Sequence, residues 1–469
     1  MIDARGMRIR ALLFVAVAAV SGCVAGPKVD WPEPAMPHIA AVMFHPDFWI
    51  NRLSSPYDVL MSEDEIARYN ESVVKADLGV VDPLRFPSEI AGDEIRSMIA
   101  GNVTGRVQIG KAFVGGDPVT ADFVAGLEES LNLAAIPERK AVIYAIATRR
   151  TMLRTFPTDT RVHYTAGDRE FDRLVESAVS IGKPMLVLHE SKDKLWRYVR
   201  VPEFDGWVKT DDIGMTADRA LWSSYLTAPR RLVVLAADLI LATNPYTPEF
   251  SAQQLTMGSS FPLVEGKERP RFIDRMETSG QHVVSLPLRR SDGTLAFREA
   301  LVPFSADVRV GFLPFTRANL IRQAFKIQGQ RYGWGGDFGT RDCSLFVGDV
   351  YRSMGFVFPR NSRLELSMPG REVRFDEVDS AAKRTAALAA MPTGTLLGWN
   401  GHIMMLLGEY NGHHYVIHDG SAFGDSAHRA SDGNLEELPL NQVSVTSLSM
   451  LRATGKSYRD TLTIMKSVR

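Results

Sequence analysis

Cysteine is nearly missing from this chain. Its 469 residues contain two, Cys23 and Cys343, and Cys23 directly follows a leader-like segment, so the folded part is expected to keep a single free thiol. One thiol makes no internal disulfide and builds no zinc cluster. No HExxH spacing is present to supply a histidine metal site in its place. No apolar run is long enough to cross a bilayer: Ala11 to Val20 supplies about ten residues where roughly 20 are needed. Net charge is also close to absent, at −1, which leaves no electrostatic footprint for nucleic acid. The glycine-rich Gly333-Trp334-Gly335-Gly336 lacks the Lys-Ser/Thr that completes a phosphate-binding loop. Metal, cofactor, nucleotide and nucleic acid therefore all lack a signature.

What is present at the N-terminus reads as an export signal. Arg8 and Arg10 flank the apolar run, and Val20-Ser21-Gly22-Cys23 closes it with small residues before a cysteine. These four residues resemble a bacterial lipoprotein box, which implies a leader over residues 1–22 and lipidation of Cys23. Val24 after the cysteine implies outer-membrane sorting, with the protein facing the periplasm. Residues 23–40, carrying Pro27, Pro32, Pro34 and Pro37, read as a tether.

The remaining length allows about three domains at ~100–200 residues each. At 45% hydrophobic and 23% charged the composition is globular, so disorder is not invoked beyond the termini. Residues 41–150 read as mainly helical, with Ser62 and Glu65 spaced as a capping box. From 151 to 215 the chain changes to short strands: Pro184–Leu188, Leu195–Val199 and Gly206–Val208, separated by turn clusters. A second unit of the same grammar covers 230–305. Both read as small barrels.

The chemistry concentrates further on. Arg317 to Gln328 reads as a helix, followed by the loop Tyr332-Gly333-Trp334-Gly335-Gly336. Asp342 then precedes Cys343 to Met354, whose apolar positions Leu345, Phe346, Val350 and Tyr351 fit an amphipathic helix ending at Gly355. Cys343 thus falls in a first helical turn, where orphan N–H groups and the dipole favour a thiolate. A thiolate needs a base. His402 opens the apolar strand Ile403–Leu407, and His418 ends the strand Tyr415–Ile417, with Asn411-Gly412 between them as a hairpin signal. A two-residue turn pairs 402 with 421 and puts the histidines on opposite faces. A three-residue loop or a bulge pairs 402 with 418 and puts them side by side. His413, His414 and His428 read as solvated loop residues.

These motifs resemble an NlpC-type papain-like murein peptidase behind a helical stabilising domain and two bacterial SH3-like domains. The first barrel carries the resemblance through Arg154-Thr155-Phe156-Pro157-Thr158, Phe171-Asp172, Ser191-Lys192-Asp193, Trp196 and Gly206-Trp207-Val208. The second carries it through Gly258 to Leu263, and the helical part through Glu65-Ile66 and Tyr69-Asn70. The implied fold is α+β and multidomain, with the peptidase over 306–469. The resemblance implies Cys343 as nucleophile, His402 as general base and acid, and His418 as the orienting third residue. It further implies an oxyanion site formed by the Cys343 N–H and the Tyr332 hydroxyl. Asp342, Ser344 and Trp334 are the implied substrate contacts, with Asp342 and Ser344 on the ammonium of an N-terminal L-Ala. A side chain between Tyr164 and Phe171 is expected to close that pocket. Leu345 stands where relatives often carry glycine and is expected to narrow the groove. The implied reaction is hydrolysis of murein stem peptides between γ-D-glutamate and a diamino acid, without a cofactor. Two other functions use the same features: a wall-binding lipoprotein with an inert thiol, and an acyltransferase or amidase on the same scaffold.

Overall fold

A computed structural model describes residues 36–469. The expected lipidation at Cys23 lies outside the described residues. The architecture is α+β, with N-terminal helices, a β-rich middle and a C-terminal domain of helices packed on a sheet.

The N-terminal helices do not form a core of their own. Glu63–Lys75 starts with the capping box, in which the Ser62 side chain accepts from the Glu65 N–H and Glu65 bonds back to the Ser62 N–H. Its buried face (Ile66, Tyr69, Val73), together with Phe48, Trp49 and Ile50, joins the apolar core of the C-terminal domain. The Tyr69 hydroxyl also donates to the Pro369 carbonyl, 300 residues away. Helices Gly92–Val103 and Ala121–Ser130 bury Ile95, Ile99 and Leu127 instead against the first barrel. The expectation of one helical unit over 41–150 is therefore corrected to two patches, each finishing another domain's core. Neither helix group carries enough apolar surface to stand alone.

The first barrel is a seven-stranded antiparallel sheet. It recruits Ile143–Ala147, earlier than the expected start at 151, because that segment pairs with both Pro184–Glu190 and Ile213–Thr216. The second unit extends past the expected 305: Val308–Val310 pairs with Arg231–Val234.

In the C-terminal domain six strands run in the order Arg371–Arg374, Ile464–Ser467, Leu396–Trp399, His402–Tyr410, His413–Arg429, Leu435–Ser447. Helices Arg317–Ile327 and Cys343–Arg352 cover one face, through Ile321, Phe346, Val350, Ile403, Met405, Ile417 and Val445. Leu388 of helix Ala381–Ala389, with Tyr458 and Leu462, covers the other face over Met404, Leu406 and Val416. The strands alternate accordingly between two apolar faces.

Candidate active site

The loop Tyr332 to Arg341 brings the first barrel to the helix that begins at Cys343. Gly335 and Gly336 have φ of +64° and +87°, in the left-handed region that favours glycine. A Cβ at Gly335 would stand 2.4 Å from Val175, and one at Gly336 2.5 Å from Ala178, so the loop lies directly on a barrel strand.

Asp342 caps the helix Cys343–Arg352, its side chain accepting from the Leu345 N–H at 2.9 Å. It also accepts from the Gly335 N–H, the Ser344 hydroxyl and both terminal nitrogens of Arg360. Arg360 in turn donates to Ser344 and, across the domain boundary, to Ser177 of the first barrel. Five donors occupy the roughly four lone-pair sites of one carboxylate. Asp342 thus has no acceptor free for the substrate ammonium expected there, and Ser344 is held by the same pair. Their observed role is to fix the first turn around Cys343.

Cys343 is the first residue of its helix and is buried. Its sulfur accepts from the backbone N–H of Ile403, the residue after His402. Burial is the largest influence on the thiol and pushes its pKa up, and the Asp342 carboxylate pushes it further the same way. The expected thiolate is therefore corrected: the helix terminus is present, but desolvation and a neighbouring anion keep the resting group as a thiol.

His402 and His418 meet. His402 Nε2 lies 2.9 Å from His418 Nδ1, and His418 Nε2 lies 2.9 Å from Thr446 Oγ1. The route to this contact combines both hairpin expectations. Asn411 and Gly412 form a two-residue turn with positive φ at both positions, pairing Tyr410 with His413. A bulge between Leu406 and Gly408 then shifts the register, so Met405 faces Ile417. The extra residue reverses the parity and returns both histidines to one face, diagonally rather than as direct partners. Burial lowers the His402 pKa to about 4, with Arg452 adding repulsion, and lowers that of buried His418 well below its ordinary value. Both rings rest neutral. If His402 Nδ1 is to act as base, its proton sits on Nε2 and points at His418 Nδ1. His418 then carries its proton on Nε2 and donates to Thr446. Thr446 was not anticipated from the sequence. The signal for it is the alternation in Val443-Ser444-Val445-Thr446, which puts polar residues on the histidine face.

Tyr332 is buried, and burial first, with the Asp342 carboxylate nearby, raises the phenol's pKa and keeps it protonated. It remains an O–H donor. Phe171 reaches over from the barrel, 6.0 Å from Tyr332 and 5.7 Å from Trp334 between ring centres. Phe171 is thus the ring of that segment that reaches Tyr332 and Trp334, whereas the Tyr164 hydroxyl donates to the Arg106 carbonyl. Asp419 is fully buried and neither carboxylate oxygen has a hydrogen-bond partner; burial, then Asp342, pushes its pKa to about 9. Of the remaining histidines, His413 stacks on His38 and His428 pairs with Asp425. All three of His413, His414 and His428 lie in the strand His413–Arg429, where solvated loop positions were expected, and His414 is also buried there. No group of three or more His, Cys, Asp or Glu suited to a metal ion occurs among the described residues.

Residues 329–428 match the NlpC/P60 family, and residues 161–209 match the SH3 domain of SH3b1 type. No curated protein sequence matches the chain. Among solved structures, an NlpC/P60 endopeptidase from Photobacterium damselae subsp. piscicida is similar over 90% of this chain and 96% of its own, with TM-score 0.73 and 16% identity. An NlpC/P60 family protein from Bacillus cereus ATCC 10987 covers 63% of this chain and 82% of its own, with TM-score 0.40 and 18% identity.

Proposed function

We propose that this chain, a cell-wall peptidase of the NlpC/P60 family by its C-terminal domain, hydrolyses murein stem peptides between γ-D-glutamate and the diamino acid, in peptides with a free N-terminal L-Ala. The observation that carries this reading is the His402–His418–Thr446 chain ending one residue from the N–H that contacts the Cys343 sulfur.

The reaction starts from a neutral thiol and a neutral imidazole. As the sulfur attacks the amide carbon, its proton passes to His402 Nδ1, and His418 accepts from the Nε2–H of the imidazolium that forms. The carbonyl oxygen gains the charge and takes hydrogen bonds from the Cys343 N–H and the Tyr332 hydroxyl. The C–N bond breaks, His402 returns the proton to the leaving amine, and a thioester remains. Water, deprotonated by His402, releases the acid and restores the thiol. Because the ion pair is not preformed, burial keeps the nucleophile inert until substrate is bound.

The paired state of Asp342 moves the ammonium contact elsewhere; Glu365 and Asp419 are both buried carboxylates without hydrogen-bond partners that act on Cys343, and Asp419 is the one beside Tyr332. The envelope location belongs to the same proposal: lipid on Cys23 would hold the enzyme at the outer membrane, facing the murein. Incubation with L-Ala-γ-D-Glu-diaminopimelate, read by mass spectrometry, tests the function. Release of L-Ala-γ-D-Glu by the parent and not by Cys343→Ala is the expected result. Cleavage at another bond, transfer to an added amine in place of water, or unchanged activity in Cys343→Ala refutes it.

A further inference from the structure

Arg173, on the first barrel, differs from three guanidinium groups around it. Arg154 pairs with Asp172, Arg161 with Asp337, and Arg331 with Glu170. Arg173 pairs with nothing: its backbone N–H bonds to the Val162 carbonyl, but among the described residues no acceptor takes a hydrogen bond from its guanidinium, and its Nε is buried without a partner. The group is nonetheless held in place. Its central carbon lies 4.8 Å from the Trp334 ring centre, 5.0 Å from Tyr164 and 5.4 Å from Phe171. Trp334 Nε1 is likewise buried with no partner.

Two unpaired donor groups, one of them cationic, thus sit together at the junction of barrel and peptidase domain. Phe171, which stacks under Arg173, also touches Tyr332, and Tyr332 borders the thiol. A buried donor without an acceptor costs about 1–3 kcal/mol, so the arrangement calls for a partner that arrives from outside. A guanidinium fork with a neighbouring N–H fits a carboxylate. It repels an ammonium.

We propose that Arg173, assisted by the Trp334 indole N–H, is a specificity-determining residue that binds a carboxylate of the peptide substrate on the barrel side of Cys343. This rests on the murein-peptide reading above. Such a peptide offers two sources of that chemistry, the α-carboxylate of the γ-linked D-glutamate and a carboxylate of the diamino acid. Aromatic rings on three sides fix the guanidinium plane without neutralising it, so the barrel acts as part of the substrate site.

The test uses the full chain carrying Cys343→Ala and calorimetric titration with three peptides: L-Ala-γ-D-Glu-diaminopimelate, its glutamate α-carboxamide, and its diaminopimelate carboxamide. One amidation is expected to weaken binding roughly ten- to hundredfold, the range for a charge-assisted pair. Adding Arg173→Gln should weaken the parent peptide by a similar factor and abolish the penalty for that same amidation. Arg173→Lys, which keeps the stem and the charge, should recover part of the affinity and shows that loss in the glutamine variant is not misfolding. Which amide is penalised identifies the carboxylate. If no peptide binds, if neither amidation matters, or if Arg173→Gln retains the penalty, the proposal is overturned. If binding behaves as stated but the parent enzyme leaves the γ-glutamyl bond intact, Arg173 stands and the proposed reaction fails.

Discussion

His402 Nε2 and His418 Nδ1 lie 2.9 Å apart because one residue, Leu407, bulges out of the pairing between their strands. The contact continues to Thr446, so three side chains share one direction of hydrogen bonding. Removing the last acceptor should loosen the first ring. Thr446→Val leaves the buried His418 Nε2–H unsatisfied, at about 1–3 kcal/mol. The expected result is a fall in kcat of roughly five- to hundredfold with little change in KM, because the loss is felt as His402 becomes charged. Steady-state kinetics on the tripeptide measure it, and Thr446→Ser should retain most of the rate.

The pH profile follows from the same burial. Since the His402 pKa drops to about 4 from an ordinary 6.5, the ring stays an available base down to that range. Activity should stay level from pH 8 to pH 5 and fall only as pH approaches 4. The thiol is shifted upward, so iodoacetamide labelling of Cys343 should climb steadily with pH, with no plateau near neutrality. Early saturation of labelling at pH 6–7 would contradict the neutral resting pair. Stability moves in the same direction: a depressed histidine pKa favours the fold above 6.5, and that contribution is lost as pH falls toward about 4.

Asp342 and Arg360 form a buried ion pair at 2.8 Å that also anchors Ser344 and Ser177. Arg360→Met leaves the carboxylate uncompensated in a dry site, and breaking such pairs costs about 3–5 kcal/mol. Chemical denaturation should show a loss of that order. Adding Asp342→Asn should restore part of it, since the charge is then gone while the helix cap remains. A stability loss that is purely additive in the double variant would remove the pair from the account.

The Cys343 helix, the two histidine strands and the barrel strands were legible because each has a strong local signal: apolar spacing around Leu345 to Tyr351, the apolar run that His402 opens, and turn residues between short strands. Long-range packing was not legible. Nothing local in Glu63–Lys75 says that its buried face meets the C-terminal domain, and nothing in Ile143–Ala147 says that it joins the barrel sheet. The hairpin parity was legible only as an alternative, because Asn411-Gly412 marks the turn while the bulge at Leu407 depends on packing of both faces. The charge state of Cys343 was misjudged for a related reason. Helix position and the adjacent Asp342 are written in the sequence, but the burial that opposes ionisation most comes from distant segments.

Asp419 carries the last prediction, since its two oxygens are buried without partners directly after His418 in the chain. Its pKa in the fold is raised from 3.8 to about 9 by burial and by Asp342. A raised carboxylate pKa means the fold prefers the protonated form: the contribution is complete below 3.8 and is lost as pH rises through about 9. The parent protein should therefore lose thermal stability between pH 7 and pH 9.5, whereas Asp419→Asn, which cannot ionise, should lose less over the same span. The gap between the two melting temperatures should widen with pH, read by calorimetry in one buffer series. Activity separates the chemical role from the structural one. If Asp419 receives the ammonium of the substrate, Asp419→Asn raises KM for the free-amine peptide roughly tenfold or more and leaves the N-acetylated peptide unaffected. Equal changes for both peptides would confine Asp419 to the stability of the fold.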